Sequence, residues 1–100
     1  MAEPIPSIEP DVPGRDGRKG LLLRVPYRTA LVNELKARLP HTHRYWDAGI
    51  MAWWIDTWDE ARTTEIVLHY FAAVVLLGGP GEEDRVLSRH HGEARQEDAR

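Results

Sequence analysis

The chain has 100 residues, a net charge of −3 and no cysteine. One hundred residues suffice for one small domain rather than two. The lack of cysteine excludes disulfide staples, thiolate metal sites and a cysteine nucleophile, and it fits a reducing compartment such as the cytoplasm. The longest apolar stretch, residues 66–77, is shorter than the roughly 20 residues that a membrane-spanning helix needs. No membrane partner is therefore predicted.

The charges are unevenly distributed along the chain. Residues 15–46 carry eight basic and two acidic side chains, a sum of +6, whereas residues 47–100 carry five basic and eleven acidic ones, a sum of −6. A basic front half indicates an anionic partner such as nucleic acid. Attraction between two solvated faces, or head-to-tail association of copies, would explain the same asymmetry.

The first 40 residues predict an arm, a strand and a helix. Residues 1–20 contain four prolines and three glycines, which predict a flexible arm that ends in a cluster of three basic residues. The alternation over residues 21–27 predicts a strand, with Leu21 and Leu23 on one face and Leu22 on the other. Apolar spacing predicts a helix over residues 29–39, with Thr29 as its N-cap and Pro40 as its stop.

The rest of the chain predicts a hairpin, a long helix and a tail. Residues 44–47 and 51–55 are interpreted as two short strands around a turn that contains Gly49. Thr57 and Glu60 have the spacing of a capping box, so a second helix is expected from residue 57 to residue 77. Residues 79–100 are charged and are expected to be disordered or a short solvated helix.

These elements predict an α+β fold with the order β-α-β-β-α. The economical packing is a three-stranded sheet with both helices on one face, formed by residues 21–78. The last turns of the second helix are apolar almost all round, and so small a domain has little material to cover them. This predicts a self-association surface or a docking site for a protein partner, at Tyr70, Phe71, Val74 and Val75.

The tryptophans of the hairpin suggest a nucleic-acid interface. Adjacent strand residues point to opposite faces, so Trp53 and Trp54 cannot share one core. We expect Met51, Trp53 and Ile55 in the core and Trp54 on the open face. An outward tryptophan beside cations is how single-stranded nucleic acid is often held, with bases on the ring and phosphates on the cations. The candidate cations are Arg24, Arg28, Lys36, Arg38 and Arg44.

Residues 22–58 also resemble a known family. Val25-Pro26-Tyr27, the Leu35-Lys36 pair on a helix, Arg44-Tyr45-Trp46-Asp47 and Trp53-Trp54-Ile55 are together similar to the HARP (HepA-related protein) module of annealing helicases. That resemblance implies a module that engages DNA junctions, with Lys36, Arg44 and Trp54 facing DNA. Because no helicase motor follows these residues, it implies a free-standing accessory protein, for example of a phage or plasmid.

Other chemistries have weaker support. The histidine pairs at residues 41 and 43 and at residues 90 and 91 lack the cysteine partners and spacing of a structural zinc site. Ser7 and Ser88 lie in the predicted tails, so no serine triad is expected. We therefore predict no metal, no cofactor and no enzymatic activity. Two hypotheses remain open: a nucleic-acid-binding module for single-stranded or junction DNA, and a protein-interaction or self-assembly module.

Overall fold

The computed structural model describes residues 3–79 and 81–89 of the chain. Two helices and a six-stranded sheet form a mixed α+β domain. The elements in chain order are β1 (Ser7–Pro13), β2 (Lys19–Arg24), α1 (Thr29–Arg38), β3 (Arg44–Asp47), β4 (Ala52–Asp56), α2 (Glu60–Tyr70), β5 (Ala73–Leu76) and β6 (Arg85–Ser88). Short 3₁₀ turns precede β3 and α2, at residues 41–43 and 57–59.

The sheet has the strand order β3-β4-β2-β1-β5-β6. Among the described strands, the β1–β5 pair is parallel and the other four pairs are antiparallel. The α+β class is therefore correct, whereas the predicted three-stranded sheet is wrong. The three additional strands come from segments that were assigned to the arm, to the second helix and to the tail.

The predicted flexible arm contains strand β1. This strand lies inside the sheet although proline removes a ladder donor and is normally confined to edges and bulges. The register of the β1–β2 pair shifts between Glu9 and Val12, so Pro10 falls within this bulge. Parallel pairing with β5 involves only Ser7 and Ile8, which precede the bulge. Pro10 thus occupies the irregular part of β1, and Pro13 is the last residue of the strand.

The second helix is shorter than predicted. It ends at Tyr70, and part of the apolar run beyond it forms β5. Two adjacent valines in a four-residue run favour a strand, because β-branched side chains fit a pleated surface. The capping box is also wrong: the Asp56 carboxylate accepts from the Trp58 backbone N–H, and the Thr57 hydroxyl donates to the Lys19 carbonyl.

Helix α1 and the β3–β4 hairpin were predicted to within a residue or two. Helix α1 begins at Thr29, but its N-cap is Arg28 and no side chain caps it. Strand β6 lies in the segment predicted as a charged tail, of which residues 90–100 fall outside the described part. Neither helix of the described part is long and apolar enough to cross a membrane.

Both helices pack on one face of the sheet. The main core joins α1, α2 and the sheet through eleven buried side chains: Ile8, Leu21, Leu23, Leu31, Leu35, Leu39, Trp53, Ile55, Ile66, Val67 and Val74. A smaller cluster of Leu22, Ala52 and Trp54 lies on the other face, with Val12 and Tyr45 packed against it. The alternation predicted for Leu21, Leu22 and Leu23 is confirmed.

Candidate nucleic-acid interface

A basic groove of about 310 Å³ opens where the β1–β2 turn meets the start of β3. Strand β2 pairs with β4, and β4 pairs with β3, so the turn after β1 and the 3₁₀ turn before β3 come to the same end of the sheet. The basic and aromatic side chains lining the groove are Arg15, Arg18, His41, Arg44, Tyr45 and Trp54. We call it the arginine groove.

The three arginines of this groove differ in how their charge is compensated. Arg18 forms ion pairs with Asp16 at 2.7 Å and with Asp56 at 3.0 Å. Hydrogen bonds from the backbone N–H and the guanidinium of Arg18 lower the pKa of Asp16. Within the described residues neither Arg15 nor Arg44 forms an ion pair. The positive surplus therefore lies on Arg15 and Arg44.

Arg44 is held in place by the end of helix α1. Its guanidinium donates to the backbone carbonyls of Leu39 and Lys36, both at 3.3 Å. These carbonyls belong to the last turn of the helix and its C-cap, where acceptors lack intrahelical donors. A carbonyl carries no net charge, so Arg44 satisfies the helix end and still presents a cation to the groove.

Arg15 lies over an aromatic ring. Its guanidinium carbon is 3.9 Å from the centroid of the Tyr45 ring, a cation–π contact that positions the charge without neutralising it. Tyr45 in turn stacks on Trp54, with centroids 5.3 Å apart and planes 15° from parallel. The wall of the groove is thus a layered arrangement of cation and rings.

Trp54 is buried, and its predicted outward position is wrong. The residue is only 2% exposed, because the β1–β2 turn folds over the face that the helices leave open. Its indole N–H donates to the Val12 carbonyl at 3.0 Å. A Cβ on Gly14 or Gly20 would come within 2.7 Å or 2.5 Å of the ring, so glycine permits this close approach. Trp54 supports Tyr45 and offers no free face to a base.

Of the other three predicted core positions, two are buried and one is exposed. Trp53 and Ile55 are buried on the helix side as expected. Met51 is 68% exposed, because it belongs to the turn before β4 and does not share the strand's alternation. The prediction of Met51 as a core residue is therefore wrong.

The structure does not gather the remaining predicted cations into one surface. Arg24 pairs with Glu9 at 2.9 Å. Arg28 forms a two-point ion pair with Glu3 and lies over the Phe71 ring. Arg38 pairs with Glu34 and Glu65. Three of the predicted cations are thus already matched with carboxylates. Lys36 is exposed on α1, and its backbone carbonyl is one of those that accept from Arg44.

Two residues of the arginine groove, Arg15 and Arg18, and one exposed tryptophan, Trp58, were not selected as site residues from the sequence. Arg15 and Arg18 were recognised as basic, but they were assigned to a flexible arm. Trp58 is 87% exposed and follows Asp56 and Thr57, which contact Arg18 and Lys19 respectively. The exposure of Trp58 could have been inferred, because this tryptophan follows the alternating strand and lies in the short turn before the second helix.

The predicted partner interface does not form one exposed surface. Val74 is fully buried in the main core. Tyr70 and Phe71 are half-buried at the end of α2, where the Tyr70 hydroxyl donates to Glu34 at 2.7 Å. Val75 is half-buried on β5, paired with β1 on one side and β6 on the other. The four residues were grouped on a helical continuation that is absent from residues 73–76.

Histidines serve as links between elements. The imidazole of His43 lies 2.7 Å from the buried Asp59 carboxylate, joining the turn before β3 to the start of α2. His69 bonds Glu34 across the two helices at 2.9 Å. Among the described residues, no group of three histidine, aspartate or glutamate side chains could hold a metal ion. His90 and His91 lie outside the described residues.

Glu34 is the centre of a polar network between the helices. Its carboxylate accepts from Tyr70, Arg38 and His69. The hydrogen bond from Tyr70 contributes most to lowering the pKa of Glu34, and those from Arg38 and His69 lower it further. The same carboxylate raises the pKa of Tyr70. The network stabilises the helix pair, away from the groove.

Comparisons of the chain with protein-family models, with curated proteins and with solved structures find no match in any of the three. The resemblance of residues 22–58 to the HARP module stays a prediction.

Proposed function

We propose that this protein is a non-enzymatic nucleic-acid-binding module, and that it holds a phosphate backbone in the arginine groove. The observation that carries this proposal is the pair Arg15 and Arg44, two cations on one open groove without a carboxylate partner in the described part of the chain. Arginine donates from a planar fork that matches phosphate oxygens. Phosphate contacts of this kind supply most of the affinity of sequence-independent binding.

Trp58 takes the base-stacking role in this proposal, in place of Trp54. Its side chain is almost fully exposed, and Asp56, two residues earlier, is ion-paired with Arg18, which lines the groove. Stacking on an exposed aromatic requires unpaired bases, whose flat faces are accessible. Single-stranded DNA, or the single-stranded part of a junction, is therefore the preferred substrate class.

The test is a fluorescence-anisotropy titration with labelled single-stranded, duplex and forked DNA, at low and physiological salt. Arg15→Gln should weaken binding by about fivefold and flatten the salt dependence by roughly one ion, because one phosphate contact is lost. Arg85→Gln is the matched control, since it removes the same charge from β6, at the opposite edge of the sheet. It should change the affinity little.

The stacking role has its own control pair. Trp58→Ala should lower the affinity for single strands by about tenfold, within the range measured for base–aromatic stacking. Tyr27→Ala removes another exposed aromatic, from the connection between β2 and α1, and should have no such effect. No saturable binding below about 50 μM at low salt would refute the proposal, because even non-specific binders reach that range.

A further inference from the structure

Arg18 holds the walls of the arginine groove together. Its guanidinium donates to the Asp16 carboxylate at 2.7 Å, to the Asp56 carboxylate at 3.0 Å and to the Thr42 carbonyl at 2.8 Å. These bonds tie the β1–β2 turn to the end of β4 and to the 3₁₀ turn before β3. Because all three partners belong to the chain itself, the groove is arranged before a ligand arrives, which lowers the entropy cost of binding.

The donors that remain for a ligand belong to Arg15 and Arg44. The Arg15 guanidinium lies over the Tyr45 ring and donates no hydrogen bond within the described residues, so its five N–H groups are unused there. Arg44 donates to backbone carbonyls from Nε and Nη2, which leaves Nη1 for another acceptor. Two guanidiniums from different elements thus supply free donors to one groove.

The charge of these two side chains distinguishes between two kinds of phosphate. Arg15 and Arg44 together carry two positive charges that no carboxylate of the described residues compensates. A terminal phosphate, held by one ester bond, carries about −1.5 to −2 at pH 7 and presents three strong acceptor oxygens. An internal phosphodiester carries a single charge and has lost one of these oxygens to its second ester bond. The terminal group therefore matches both guanidiniums better.

The size of the groove favours one phosphate over a row of phosphates. Its volume of about 310 Å³ lies at the lower limit of pockets that hold small ligands. Proteins that track a strand use a long basic groove instead. The arginines that could have extended the groove, Arg24, Arg28 and Arg38, are ion-paired with carboxylates. The available cations are thus confined to a short site.

We propose that the arginine groove recognises the terminal phosphate of a nucleic-acid strand in preference to an internal phosphodiester. Arg15 and Arg44 both donate to the phosphate oxygens, and the Tyr45 ring positions Arg15. This preference rests on the proposed function, because it names which phosphate of a strand enters the groove. The 5′-phosphate and the 3′-phosphate share this chemistry, so the experiment includes both.

The test is a fluorescence-anisotropy titration of the native protein with one single-stranded DNA sequence, labelled internally. The strand carries a 5′-phosphate, a 3′-phosphate or hydroxyl groups at both ends. The phosphate should raise the affinity about tenfold at one end or at both, as expected for an added charge-assisted contact. An ethyl ester of the same phosphate is the matched control. It turns the terminal group into a diester, and it should raise the affinity less than about twofold.

Variants assign the preference to the groove. Arg15→Gln and Arg44→Gln should each reduce the gain from the terminal phosphate to less than about threefold, because one donor set is lost. Arg85→Gln, on β6 and outside the groove, should leave the gain unchanged. The ligand comparison uses the native protein, so it does not depend on the folding of a variant.

Two results would overturn the preference while the proposed function stands. One is saturable binding with equal affinity for phosphate-ended and hydroxyl-ended strands. The other is an equal gain from the ethyl ester, because added charge at the strand end would then explain the effect. The absence of saturable binding to every strand at low salt would instead refute the proposed function itself.

Discussion

The two faces of the sheet both carry buried side chains, but these are covered by different means. On one face, helices α1 and α2 bury a core of eleven side chains around Trp53. On the other, the β1–β2 turn covers a cluster of three buried residues around Trp54. The two tryptophans are adjacent in β4, yet one is covered by regular helices and the other by a turn. Burial by itself therefore does not reveal whether a helix lies above a strand.

The largest expected effect compares neighbouring leucines of β2. Leu23→Ala, in the helix-covered core, should lower the free energy of unfolding by about 4 kcal/mol, because packed helices cannot collapse onto the cavity. Leu22→Ala, in the small cluster, should cost about 2 kcal/mol, since a turn can relax more easily. Urea unfolding of both variants measures the difference. Equal losses would show that the turn is as rigid a cover as the helices.

A smaller effect is expected from Trp54→Phe. The substitution keeps an aromatic ring but removes the indole N–H that donates to the Val12 carbonyl, so that carbonyl loses this donor. We expect a loss of about 2 kcal/mol, from the hydrogen bond and the reduced volume together. Trp46→Phe, on a half-exposed ring of the same hairpin, should cost less than about 0.5 kcal/mol. Similar urea midpoints for the two variants would contradict a specific role for the Val12 bond.

The helix-covered side also carries the acid-sensitive network at Glu34. Because the folded-state pKa of Glu34 is lowered, its stabilising contribution is present above its ordinary pKa, near 4.5. The contribution is lost as the pH falls through the folded-state value. Glu34→Gln should therefore destabilise the protein by about 1 kcal/mol at pH 7. That deficit should shrink as the pH is lowered towards 3, and a constant deficit in urea unfolding would count against this assignment.

The smallest effect concerns the turn between β3 and β4, in which Met51 has a positive φ. Met51→Gly should raise the free energy of unfolding by about 0.5 kcal/mol, because glycine adopts the left-handed backbone without strain. Ala48→Gly, in the same turn but without a positive φ, should lower it by a similar amount. Thermal unfolding of the two variants would separate strain relief from a general effect of glycine. Destabilisation by Met51→Gly would mean that the exposed methionine packs more than its position suggests.

Local patterns accounted for α1 and for the β3–β4 hairpin. The spacing of Leu31 and Leu35 and the alternation through Leu21, Leu22 and Leu23 depend on nearest neighbours in one element, and they are found as predicted. The apolar run after Tyr70 was misassigned because periodicity alone does not separate a buried strand from a buried helix. Its two valines were the available signal.

The arrangement of the candidate site could be predicted from the sequence only in part. Arg44 could be selected because it stands in a recognisable strand. Arg15 and Arg18 could not be placed beside it, since they join it only through the pairing of β2 with β4 and of β4 with β3. The carboxylates that occupy Arg24 and Arg28 come from the N-terminal segment, far away in sequence. These distant carboxylates decide which arginines are already ion-paired and which can bind an anionic ligand.

The sequence by itself determined the α+β class, the helix over residues 29–38 and the opposite faces of Trp53 and Trp54, because each follows from the period of a single element. Only the tertiary structure decided that β1, β5 and β6 extend the sheet, that Trp54 lies beneath the β1–β2 turn, and that Arg15 and Arg44 line the same groove. Strand pairing and charge matching depend on contacts between residues that are remote along the chain. Composition and periodicity carry no record of those contacts.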